Sequence, residues 1–118
     1  MKNHHTGWRR LLSAAHYSKQ GFISSWRSEA AIRQEIVALC FLVPIAFIVE
    51  VSSVERALLI LSLMLVLVVE LLNTGIEAVV DRIGAEYHVL SGKAKDVGSA
   101  AVLTMLVLAT MVWFIILF

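Results

Sequence analysis

Apolar residues run along this chain in one periodic stretch followed by three nearly continuous blocks. Between Trp8 and Trp26 they recur at Trp8, Leu11, Leu12, Ala15, Phe22, Ile23 and Trp26, a spacing that paints one face of a helix. Arg9, Arg10, His16, Lys19, Gln20 and Arg27 fall largely on the other side. Basic residues opposite Trp and Phe describe an amphipathic helix lying in a membrane interface, a placement compatible with packing on the protein's own core. The pattern predicts this helix over 8–27, with Gly21 as a point where it divides in two.

The first block, 30–49, is uninterrupted only from Ile36 to Val49. A span needs about 20 residues, so Arg33, Gln34 and Glu35 are expected in the headgroup zone or facing protein. Pro44 lies inside this block and is read as a tolerated kink. After a polar turn from Glu50 to Arg56, a second helix is predicted over 52–81. It is apolar from Ala57 to Val69 and then carries Glu70, Asn73, Glu77 and Asp81. Residues 82–95 read as a polar connection with Gly84 and Gly92 as breakers. The last helix is predicted over 95–118, and Val97 to Phe118 holds no charge. The expected fold is therefore all-α and integral to a membrane, as a single domain of three transmembrane helices plus the interfacial one.

Composition agrees. The 118 residues are 59% hydrophobic and 16% charged, with a mean hydropathy of +0.84. Soluble domains are nearer 45–50% and about 25%. A net charge of +1 leaves no global field for nucleic acid. The single Cys40 excludes an intrachain disulfide. The N-terminus is polar and carries no signal-peptide pattern. Lys2, Arg9, Arg10, Lys19, Arg27 and Arg33 precede the first block, and Arg82, Lys93 and Lys95 sit in the second connection. The turn between the first two spans holds only Arg56, against Glu50 and Glu55. The positive-inside rule then places the N-terminus and the second connection in the cytoplasm and the C-terminus outside.

The second helix carries the chemistry. At 100° per residue Glu70, Asn73, Glu77 and Asp81 fall at about 0°, −60°, −20° and +20°, a stripe about 80° wide and about 16 Å long. Ionisable groups in a span are costly and mark functional sites. This stripe must face other helices or a wet cleft. With the outer boundary near Arg56, about 20 residues reach the inner boundary near Glu77, and Glu70 lies about one and a half turns inside. Three readings follow: acids that bridge helices in an assembly, an ion or proton path in an oligomeric transporter, or catalysis between a lipid and a soluble donor. In the third, a carboxylate partly withdrawn from water is suited to accept a proton from a lipid hydroxyl. Polar groups crowd toward one membrane face rather than the midplane, which disfavours transport.

Other residues join from the cytoplasmic side. Glu29 ends the amphipathic helix. Lys95 and Asp96 open the last helix, whose N-terminus favours phosphate. Gly92, Ala94, Gly98, Ser99, Ala100 and Ala101 keep that region slim enough for a ligand or another helix to approach. Common nucleotide motifs are missing, so any ATP site is unrelated to the usual nucleotide folds. Carboxylates such as Glu29 and Glu77 would then hold Mg²⁺, and Lys95 and Arg10 would neutralise phosphate charge.

The run Glu70-Leu-Leu-Asn73-Thr-Gly-Ile-Glu77-Ala-Val-Val-Asp81-Arg82 resembles the signature of the prokaryotic diacylglycerol kinases. So do Glu86-Tyr-His88-Val-Leu-Ser-Gly92-Lys-Ala-Lys95-Asp96-Val-Gly98-Ser and Trp26-Arg-Ser-Glu29-Ala-Ala-Ile-Arg33-Gln34-Glu35. The resemblance covers nearly the whole chain. It implies a homotrimer with active sites shared between protomers, in the bacterial inner membrane. It implies ATP as co-substrate, Mg²⁺ as cofactor, and conversion of diacylglycerol to phosphatidic acid. By the same resemblance Glu70 is the general base, and Glu29 and Glu77 are metal ligands. Arg10, Tyr17, Glu29, Glu77, Glu86, His88, Lys95 and Asp96 are nucleotide contacts. Asn73 and Asp81 are further active-site positions, while Arg10, Arg56, Glu70, Ser99 and Trp113 contact the lipid. Gly75 stands where the family usually has Ala. A second branch of the family acts on undecaprenol, and the Glu86–Asp96 run is more similar to the proteobacterial diacylglycerol branch.

Overall fold

The computed structural model describes residues 6–84 and 88–118, which form four helices: α1 (Trp8–Ser28), α2 (Ala30–Ile48), α3 (Ser53–Ile83) and α4 (Val89–Leu117). The last three are long and apolar enough to cross a membrane. At 1.5 Å per residue, α2 is about 28 Å long, α3 about 46 Å and α4 about 44 Å. The hydrocarbon layer is about 30 Å thick. Thus α2 matches it, whereas α3 and α4 are about three turns longer, a difference that projection or tilt takes up.

The helices α3 and α4 pack antiparallel along their length, and α2 lies against α3. The buried apolar side chains run along this bundle: Ile32 and Ala46 on α2, Leu59, Leu63, Val66 and Leu67 on α3, Met105 and Ala109 on α4. Many large apolar residues on the same helices stay exposed, among them Phe41, Leu72, Leu103 and Phe114. Such faces suit lipid or a neighbouring chain rather than water. Buried hydroxyls are satisfied locally, as where Ser62 Oγ donates to the Leu59 carbonyl at 2.9 Å. The same carbonyl accepts Trp113 Nε1 at 3.2 Å, which ties α4 to α3 near one end of the bundle.

That end is also fixed by the α2–α3 turn. Ser52 caps α3 by accepting from the Glu55 amide at 3.2 Å, and Glu55 returns a bond to the Ser52 amide at 3.0 Å. Arg56 turns back and donates to the Ala46, Phe47 and Val51 carbonyls. Two of the carbonyls that α2 leaves without helical partners, those of Ala46 and Phe47, are thereby satisfied.

Three expectations are corrected. The amphipathic helix α1 runs unbroken through Gly21, because one glycine costs only about 1 kcal/mol against alanine in a helix. Gly92 likewise lies inside α4, which starts at Val89 rather than at residue 95. The earlier start has a donor–acceptor cause: His88 Nδ1 accepts from the Leu90 amide at 3.0 Å and caps the helix. Finally, α3 continues to Ile83, beyond residue 81. Pro44 leaves α2 continuous.

Leu59 is fully buried at the junction of these contacts. In a bilayer the lost transfer energy of a truncated side chain is partly restored by lipid, so the packing loss dominates. Leu59→Ala is expected to lower the unfolding free energy by about 2 kcal/mol, the lower end of the range for buried leucines. Reversible unfolding in mixed detergent micelles measures it.

Candidate functional site

The site is built where α3 and α4 project and where α1 joins α2. That joint is a single residue. Glu29 is extended (φ −120°, ψ 114°), closing α1 with its amide on the Ser25 carbonyl and opening α2 with its own carbonyl. Its side chain caps neither helix, so the carboxylate is left for other partners. Arg33, one turn into α2, reaches back and donates to the Trp26 carbonyl at 2.7 Å and the Arg27 carbonyl at 3.2 Å. This clamp sets how α1 leaves the bundle.

On α3 the predicted stripe meets these elements. Glu29, Glu35 and Glu77 lie close enough to Glu70 for their charges to interact. Glu70 is half-buried, and its backbone carbonyl accepts the Thr74 hydroxyl at 2.9 Å. Asn73 Nδ2 donates to Glu77 Oε1 at 3.3 Å. Farther out, Asp81 pairs with Lys95 Nζ at 2.7 Å, and Lys95 also feels the charge of Glu77. Both members of that pair are well exposed, as a group meeting a water-soluble ligand must be.

A single protomer does not gather every predicted residue. Arg10 and Tyr17 lie on the exposed surface of α1. Measured back along that helix they are about 28 Å and about 18 Å from Glu29. Asp96 and Ser99 are exposed on α4, Asp96 on a shallow groove with Gly92, Lys93 and Val97. His88 is engaged at the helix cap. Arg56 and Trp113 sit at the opposite end of the bundle, bonded to backbone carbonyls. Glu86 falls outside the described residues.

Two openings lie between these helices. A cleft of about 440 Å³ between α1 and α3 is lined by Ser18, Gly21, Phe22, Ser25, Thr74 and Gly75 among others. A Cβ at Gly75 would meet nothing within 4 Å, so an alanine would fit there. An apolar cavity of about 430 Å³ lies among α2, α3 and α4, with Glu35 at its polar end. Glu35 was assigned no chemical role from sequence. Its phase was the available signal, since it shares a helix face with Ala38 and Leu42, which line the same cavity.

Among the described residues no three His, Cys, Asp or Glu side chains form a closed metal cage. The donors at hand are carboxylate oxygens, Glu29 and Glu77 approaching Glu70 from two different elements. Such a set fits a hard cation bound through one or two carboxylates and completed by water and phosphate oxygens, which is how Mg²⁺ usually binds.

The family model described as prokaryotic diacylglycerol kinase matches residues 16–117. The chain is 54% identical to a diacylglycerol kinase of Escherichia coli strain K12 over 117 residues, 99% of this chain and 96% of that protein. It is 49% identical to a diacylglycerol kinase of Pseudomonas aeruginosa over 95% of this chain and 91% of that one. A diacylglycerol kinase of Haemophilus influenzae is 45% identical over 96% of each.

The Arg33 clamp makes the joint at Glu29 testable. Arg33→Met removes both bonds to the end of α1 and leaves the carbonyls there to water. Proteolytic cleavage at the joint is expected to accelerate several-fold, with cleavage elsewhere unchanged. Cleavage at the wild-type rate would mean that packing alone holds α1.

Proposed function

The chain belongs to the prokaryotic diacylglycerol kinase family, and on that premise we propose that it transfers the γ-phosphoryl group of ATP to diacylglycerol, giving phosphatidic acid at the cytoplasmic face of the bacterial inner membrane. The observation that carries the proposal is the grouping of Glu29, Glu35 and Glu77 around Glu70, where α3 leaves the bilayer.

Each residue has a task in this reading. The lipid hydroxyl oxygen attacks the γ-phosphorus while its proton passes to the Glu70 carboxylate. The bond from the γ-phosphorus to the bridging oxygen breaks, and ADP leaves with that electron pair. Phosphoryl transfer asks a protein chiefly for positioning and charge neutralisation. Lys95, oriented by Asp81, would neutralise phosphate charge, and Asn73 would orient Glu77. Glu29 and Glu77 would hold Mg²⁺, which when bound offsets the charge of the phosphate oxygens. The cleft between α1 and α3 would admit the headgroup from the interface, with α1 lying in that interface.

Arg10 and Tyr17 are remote from Glu29 within one chain, yet they are nucleotide contacts in this reading. A homotrimer in which α1 serves a neighbour's site resolves the conflict, and the exposed apolar faces of the spans support such an assembly. The cytoplasmic side is assigned by the basic residues of α1 and of residues 82–95.

The test is ATP-dependent phosphorylation of diacylglycerol by purified protein in mixed micelles. Glu70→Gln is expected to lower kcat by about 10²-fold or more, the range for losing a general base. Full activity in a folded Glu70→Gln protein would remove that role. Competition between diacylglycerol and undecaprenol identifies the lipid, and preference for undecaprenol would move the chain to the other branch. Glu29→Gln and Glu77→Gln are each expected to raise the Mg²⁺ concentration needed for half-maximal rate, and an unchanged requirement would exclude both as ligands.

A further inference from the structure

The two polar atoms of Asn73 are treated unequally. Nδ2 donates to Glu77 Oε1. Oδ1 is buried and has no hydrogen-bond partner among the described residues. Reversing the amide would not help, because it would set Oδ1 against a carboxylate oxygen, acceptor against acceptor. What occupies the space at Oδ1 is the backbone of α4. Gly98 is buried there, and a Cβ built on it would collide with Asn73 Oδ1 and come within 3.2 Å of Asn73 Cγ. The amide is therefore gripped between α4 on one side and Glu77 on the other. A side chain at 98 would force either the helices apart or the amide off Glu77.

We propose that Gly98 is a positioning residue for the metal site: its bare Cα lets α4 close on Asn73, and Asn73 so held fixes the Glu77 carboxylate toward a divalent cation. The proposal rests on the metal role of Glu77 given above. A partner that orients a metal ligand typically changes affinity 10–100-fold when lost, whereas glycine used only for close helix packing affects assembly and stability. The two roles are therefore separable by experiment.

The test is binding of Mn²⁺ alone, followed by electron paramagnetic resonance on the full-length protein in detergent micelles, with helix content and thermal stability measured alongside. Gly98→Ala and Asn73→Ala are each expected to weaken Mn²⁺ binding about tenfold. The double variant should bind no more weakly than Asn73→Ala, because the amide through which Gly98 acts is already gone. Wild-type Mn²⁺ affinity in folded Gly98→Ala, even with lowered thermal stability, would overturn the proposal and leave a packing role. So would losses that simply add in the double variant. Should Gly98→Ala not fold, the double variant, with room for the new methyl, should fold and bind like Asn73→Ala; its failure to fold would also overturn the proposal. Undiminished Mn²⁺ binding in Glu77→Gln would instead remove the metal role of Glu77, and the proposal with it.

Discussion

A helix longer than the membrane is thick governs this protein. The 31 residues of α3 exceed the hydrocarbon by about three turns, and Glu70, Asn73, Glu77 and Asp81 all lie in its C-terminal half. Asp81 is exposed, whereas Glu70, Asn73 and Glu77 are half-buried. One rigid element, packed against α4, thus grades the exposure of these side chains. The long N-terminal part of α4 accompanies it, so that Lys95 meets Asp81 outside the apolar layer.

Rigidity at the other end makes the grading meaningful. The Ser52–Glu55 cap, the Arg56 contacts to the end of α2, and the bond from Trp113 to Leu59 lock the far turn. With that end held, vertical sliding of α3 against its neighbours would break several bonds at once. Glu70 is therefore held at a fixed height along the bundle. Glu29 and Glu77 add like charge beside Glu70.

Helix placement was legible in the sequence because membrane spans and amphipathic faces are written in composition and period. The acidic stripe was legible for the same reason: charge in an apolar helix has few explanations. Helix ends were less so. The start of α4 depends on an imidazole accepting from a backbone amide two residues on, and His88 alone does not announce that. Gly21 and Gly92 illustrate the opposite error, since a glycine breaks a helix only where nothing else supports it. The role of Glu35 and the contact between Gly98 and Asn73 depend on how α3 faces α2 and α4. Rotational pairing of that kind is set by tertiary packing, and local pattern does not encode it.

The one-residue joint between α1 and α2 has a corollary for the lineage of such chains. Glu29 is at once the corner of the backbone and a carboxylate of the site. With no spacer on either side, adding or deleting one amino acid nearby would swing the apolar stripe of α1 by about 100° relative to that carboxylate. The spacing of α1 to the corner has no slack, so length variation should be confined to the chain ends and the connection after α3.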